Sequence, residues 1–166
     1  MKRMLRWGGT GVAVLVFTVA VVWAVGSQLP VEHRASGTRT VPADIDLVWD
    51  RVEDVQGWPE WQELEVQPLG EDSARVRQDG ETLLYRLERP APRTLVTRIV
   101  GEDLPFGGAW TWSAAPAGDG TTEVTIVEDG EVYDPIYRFF SRYVFGHEAS
   151  IRRALDALEA SFADQR

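Results

Sequence analysis

The sequence has no cysteine among its 166 residues. Disulfides, thiolate nucleophiles and cysteine metal sites are excluded, and an exported domain without them must rely on its own core. Histidine is scarce too. His33 and His147 are far apart in sequence, with no HExxH or similar spacing, so no metal is expected. Lysine occurs only as Lys2. Positive charge as a whole is low. The formal net charge is −9, and about −12 once the N-terminal cations Lys2, Arg3 and Arg6 are set aside. Nucleic acid needs a basic footprint and is not an expected partner. Broad docking on anionic lipid is disfavoured as well. Phosphate-loop, dinucleotide and Gly-x-Ser-x-Gly signatures are missing, and no cofactor is implied. Carboxylate pairs such as Glu102-Asp103 and Glu128-Asp129 fall in loops or on alternating faces, where charge is usually solvated.

What the sequence does have begins with a long apolar run. No charged residue occurs from Trp7 to Leu29. At about 1.5 Å per residue, that run can cross a hydrocarbon layer of roughly 30 Å. Residues 1–29 are expected to be a signal anchor, with Trp23 at the interfacial belt. The alternative is a signal peptide cleaved near Gly26, after which the domain is secreted. In both cases the basic end stays cytoplasmic and the rest is exported. A buried core helix fits less well, because the run has a basic flank and no polar face. Residues 30–34 read as a link, and 35–166 as one domain.

Within that domain, "ASGTRTV" ends strand-like. Ile45, Val48, Trp49 and Val52 then recur at helical spacing, with Asp44 at the N-cap. "VQGWPEWQ" supplies a second short helix starting near Pro59. Six short alternating segments follow, from "LEVQPL" to "TEVTIVEDGEVY", separated by Gly, Asp and Pro turns. No room is left for crossover helices, so the strands are antiparallel. Asp134-Pro135 opens a C-terminal helix. Ile136, Phe140, Tyr143, Val144, His147, Ile151, Leu155, Leu158 and Phe162 form its expected single apolar stripe, with Gly146 as a kink or close approach. The class is α+β: a strand, two short helices, six further strands and one long helix over a bent sheet.

Three stretches resemble a known family. "VPADIDLVWDRVEDVQGWPEWQ", "FGGAWTWSAAPAGDGTTEVTIVEDGEV" and "DPIYRFFSRYVFGHEASIRRALDALEA" are similar to the opening, late hairpin and closing helix of the SRPBCC superfamily. These are the START-like, polyketide cyclase/dehydrase-like helix-grip proteins. The resemblance covers residues 35 to 163. It implies a helix-grip fold with a deep cavity for lipids, sterols, polyketides or other apolar molecules. It carries over no catalytic residues, because no invariant set runs through the superfamily.

Trp49 is expected in the core. Trp58 and Trp61, around Pro59-Glu60, are expected to pack the lid onto the sheet and partly line the cavity. Trp110 and Trp112 share one strand face and are expected inward. Phe106, in "LPFGG", is a candidate gate. The polar candidates are Tyr85, Arg98, Glu128, Tyr133, Tyr137 and His147, and Phe140 joins the cavity list from the helix stripe. Arg98, if buried, needs a carboxylate, and Glu128 is the expected partner; both facing solvent is the alternative. His147 reads as a hydrogen-bonded core residue.

Three functions compete. The first is a membrane-tethered site for an apolar small molecule or lipid. The second is a cyclase- or dehydratase-like enzyme in the same cavity. The third is a protein-interaction module using the acidic surface.

Overall fold

The computed structural model describes residues 4–78, 80–101 and 104–163, with side chains from residue 11 onward. Helix α1 runs Met4–Gln28. Its stretch Gly11–Gln28 is long and apolar enough to cross a membrane, and only 6% of it is buried. A helix that the domain leaves uncovered is not the domain's core helix.

Strand β1 (Glu32–Val41) starts inside the stretch expected to be a link. Helix α2 (Ile45–Glu53) buries Val48, Trp49 and Val52, as its spacing implies. Asp44 has extended N-cap backbone but makes no side-chain cap bond. The Trp-Pro-Glu segment becomes a 3₁₀ turn, Val55–Glu60. Then come β2 (Glu65–Gly70), β3 (Ser73–Gln78), β4 (Glu81–Ala91), β5 (Thr94–Val100), β6 (Phe106–Gly118) and β7 (Thr121–Val132). They form one antiparallel sheet in the order β1-β7-β6-β5-β4-β3-β2. The first strand thus pairs with the last.

The C-terminal segment departs from the expected continuous helix. Asp134 does cap it, accepting bonds from the amides of Ile136 and Tyr137 at 2.8 and 3.0 Å. Helix α3 (Pro135–Phe140) then runs into a π turn, Ser141–Phe145. Gly146 has φ 74°, a left-handed backbone that ends the hydrogen-bond ladder. Helix α4 (Glu148–Ala163) starts afresh. The break splits the stripe in two. Ile151, Leu155, Leu158 and Phe162 are buried, whereas nothing in α3 or the π turn is.

α4 crosses the sheet at Gly37. A Cβ there would stand 2.7 Å from the Ile151 Cγ2 methyl and 3.2 Å from Leu155 Cδ1. Arg39 of β1 clamps the same helix through Asp156 and, at 3.5 Å, Glu159. The core beneath joins Val41, Val124, Ile126, Leu155 and Leu158 to α2. Leu155→Ala should lower the unfolding free energy by about 2–5 kcal/mol. Urea unfolding followed by circular dichroism measures this; an unchanged midpoint would contradict the packing.

Candidate ligand cavity

The inner face of the sheet is set by register. Glu128 lies opposite Trp110, and Trp110 opposite Thr97. On the other flank Glu128 faces Ala35 of β1. One residue row therefore crosses four strands. Trp112, one step along β6, is 1% exposed and faces Ile126.

A cavity of about 490 Å³ lies over this row, within the size range of small-molecule sites. Its sheet wall includes Tyr85, Thr97, Ile99, Trp110, Trp112 and Glu128, and Trp58, Trp61 and Leu64 close one end. The α4 side is lined by Ser150, Arg153, Ala154 and Ala157. Those are mostly small side chains. The same helix puts Leu155 and Leu158 into the core, so its composition divides filled space from open space.

Four tryptophans meet here. Trp58 and Trp112 are 5.6 Å apart, Trp58 and Trp61 6.2 Å, and Trp110 and Trp112 6.1 Å. These are tilted or edge-on pairs, the usual aromatic arrangement. Trp58 donates its indole hydrogen to the Val52 carbonyl at 3.0 Å. Trp61 Nε1, Trp112 Nε1, Gln62 Nε2 and Glu128 Oε2 are buried without a hydrogen-bond partner among the described residues. All four residues line the cavity.

The histidines, distant in sequence, come together. His33 and His147 stack with ring centroids 3.8 Å apart. His33 Nε2 stands 3.5 Å from Glu128 Oε1, and Ser141 Oγ is 3.1 Å from His147 Nδ1. His33 pairs with Gly130 across the strands; a Cβ on Gly130 would overlap the imidazole. Burial lowers both histidine pKa values, and His33 lowers that of His147 further. Burial raises Glu128, against a hydrogen bond from Trp110 and the attraction of His147. Tyr85 is pushed up to about 12 by burial and then by the Glu128 charge. Every shift favours the neutral form. Among the described residues, no group of three or more His, Asp or Glu is arranged to hold a metal.

Six of the sequence candidates line the cavity: Trp58, Trp61, Tyr85, Trp110, Trp112 and Glu128. Five do not. Arg98 lies on the outer face and meets Glu88 at 3.4 Å, with its side chain 47% exposed. Its expected pairing with Glu128 is therefore wrong. Leu95 and Thr97 are the buried alternates of β5, and a strand apolar on both faces does not announce which side is in. Phe106 lines a second hollow with Arg98 and Tyr133 instead. Tyr137 and Phe140 are 54% and 39% exposed because the Gly146 break turns α3 away from the core. His147 is not a cavity-wall residue but stands behind Glu128. His33 was missed as a site residue. Only the pairing of β1 with β7 reveals it, and no local pattern encodes that.

A seven-stranded antiparallel sheet closed by a C-terminal helix over an apolar cavity defines a helix-grip α+β protein of the START-like class. The chain belongs to the family described as polyketide cyclase / dehydrase and lipid transport, whose model matches residues 32–163. Solved structures share the fold at low identity. A START superfamily protein from Mycobacterium smegmatis is 18% identical with TM-score 0.67, covering 81% of this chain and 99% of its own. The Zhui aromatase/cyclase from a Streptomyces species is 18% identical with TM-score 0.60, covering 81% and 95%. Norcoclaurine synthase from Thalictrum flavum is 13% identical with TM-score 0.63, covering 82% and 98%. No curated protein matches significantly.

Glu128 generates a stability prediction. Its folded pKa lies above the ordinary 4.5. The stability it contributes is full below that value and is lost as pH rises through the folded pKa. Glu128→Gln mimics the neutral acid, so it should melt above the native protein at neutral pH. The difference should close as pH falls toward 4.5. A variant equally destabilised at both pH values would contradict the assignment.

Proposed function

We propose that the domain binds an uncharged, largely apolar small molecule or lipid in this cavity, held beside a membrane by α1. One observation carries the reading. A cavity of about 490 Å³ is walled by tryptophans, and its unpartnered polar atoms are three N–H donors and one carboxylate oxygen. An apolar body suits the tryptophans. A carbonyl or hydroxyl on it suits the donors, because an unmade buried hydrogen bond costs about 1–3 kcal/mol. An anchor places the cavity where such molecules partition and raises their effective concentration. The family description, which includes lipid transport, agrees with carriage.

A second reading is catalysis, favoured by Glu128 backed by the His33–His147 stack. A carboxyl group with a raised pKa beside imidazoles with lowered ones can exchange protons with them. The relative described as an aromatase/cyclase keeps this reading open.

The test is to purify the full chain in detergent, identify copurifying small molecules by native mass spectrometry, and titrate a lipid and polyaromatic panel. Intrinsic fluorescence reports occupancy, since four of the seven tryptophans line the cavity. Trp110→Ala should weaken binding at least tenfold, about 1.4 kcal/mol, with the fold kept. Absence of any bound molecule and of any titration would sink both readings.

A further inference from the structure

The exposed aromatic segment around the π turn is unexplained by the cavity. Tyr137, Phe140, Tyr143, Val144 and Phe145 are 54%, 39%, 59%, 59% and 69% exposed. They lie close together in α3 and the π turn, a far denser apolar surface than scattered exposed residues give. Two facts say what covers them.

The first is attachment to α1. Gly26, in the last turn of α1, lies so close to Pro135 that a Cβ there would overlap the Pro135 carbonyl. Arg138 donates to the Leu29 carbonyl at 2.8 Å. α3 is therefore fixed at the C-terminal end of the apolar span. The uncharged run Trp7–Leu29 measures about 34 Å, against a hydrocarbon layer of roughly 30 Å. A run that exceeds the layer by only a turn ends at the headgroup level, and so does anything packed on its last turn.

The second fact is chemistry. Aromatic rings favour that interfacial layer, and Trp23 of α1 is exposed near the same end. Between Asp134 and Glu148 the only charges are Arg138 and Arg142, in a chain of net charge −9. This acidic protein places a cationic, aromatic stretch at the C-terminal end of its apolar span, a composition suited to anionic headgroups.

We propose that residues 135–145 form a second membrane contact, lying in the headgroup layer beside α1 and inserting Tyr143, Val144 and Phe145 among the lipids. This rests on α1 being a retained anchor. The contact makes the domain lie against the bilayer instead of swinging from a tether. It also fixes α4, which begins just after Gly146 and lines the cavity with Ser150 and Arg153.

The absence of native cysteine allows a direct test. Val144→Cys, Leu15→Cys and Glu123→Cys are each labelled with an environment-sensitive fluorophore in the full chain. Each is then reconstituted into phosphatidylcholine–phosphatidylglycerol vesicles. Leu15 reports the anchor and Glu123 the exposed sheet. Probes at Val144 and Leu15 should be blue-shifted. Val144 should be quenched severalfold more by headgroup-level than by chain-end spin labels, and Glu123 by neither. If Leu15 is quenched but Val144 behaves like Glu123, the second contact is wrong and the anchor stands. If Leu15 is also unquenched, the anchor fails and the proposal falls with it.

Discussion

One helix cannot cover a seven-stranded sheet. α4 has 16 residues and a helix is about 10 Å across, whereas seven strands at about 4.8 Å spacing span nearly 30 Å. α4 lies over β1 and β7, while α2 reaches β6 and β7 and the 3₁₀ turn reaches β2. Among the described residues the middle of the inner face has no element packed closely on it, and the cavity sits there. The hollow is thus a consequence of topology. Ala154 and Ala157 keep it open by offering nothing long enough to fill it.

The tryptophans divide along the same line. Trp49 donates to Glu53 at 2.9 Å and Trp58 to the Val52 carbonyl. Each finds its partner inside the α2 lid, so each is satisfied before any ligand arrives. Trp110 is bonded to Glu128. Trp61 Nε1 and Trp112 Nε1 have no hydrogen-bond partner among the described residues. A large ring with a spare donor is a poor choice for a sealed core, where the lost bond counts against folding. It is a reasonable choice for a wall that meets a ligand acceptor.

What the sequence made legible follows from which signals are local. Strand alternation and helical spacing are local, so the element order, the α2 face and the family resemblance could all be read. Arg98 shows the limit: β5 is apolar on both faces, and only cross-strand register tells that Thr97 points in. Gly146 shows another. A glycine in a helical stripe reads as a kink, but its left-handed backbone makes it a break, which moves Tyr137 and Phe140 away from the cavity. His33 was hidden most deeply. Its neighbours are set by first-to-last strand pairing and by the missing side chain of Gly130, and neither leaves a mark near residue 33.

That pairing gives the cavity its distinctive chemistry. Two imidazoles stacked at 3.8 Å cannot comfortably both carry charge. Beyond the one N–H of each neutral ring they hold at most one extra proton readily, and Glu128 is the acceptor or donor within reach of His33. Carboxylate plus imidazolium is neutral in sum, and so is carboxylic acid plus imidazole. A proton passing between Glu128 and the histidine pair therefore leaves the net charge of the cluster unchanged. In a desolvated place that matters, because creating net charge there is what burial penalises most. Moving charge without creating it is far cheaper. Tyr85, neutral at its ordinary pKa of 10 and pushed further up to about 12 by burial, adds a hydrogen-bonding group that does not compete for the proton. The wall can thus present either a hydrogen-bond acceptor or a donor at Glu128 without a change in the net charge of the cluster.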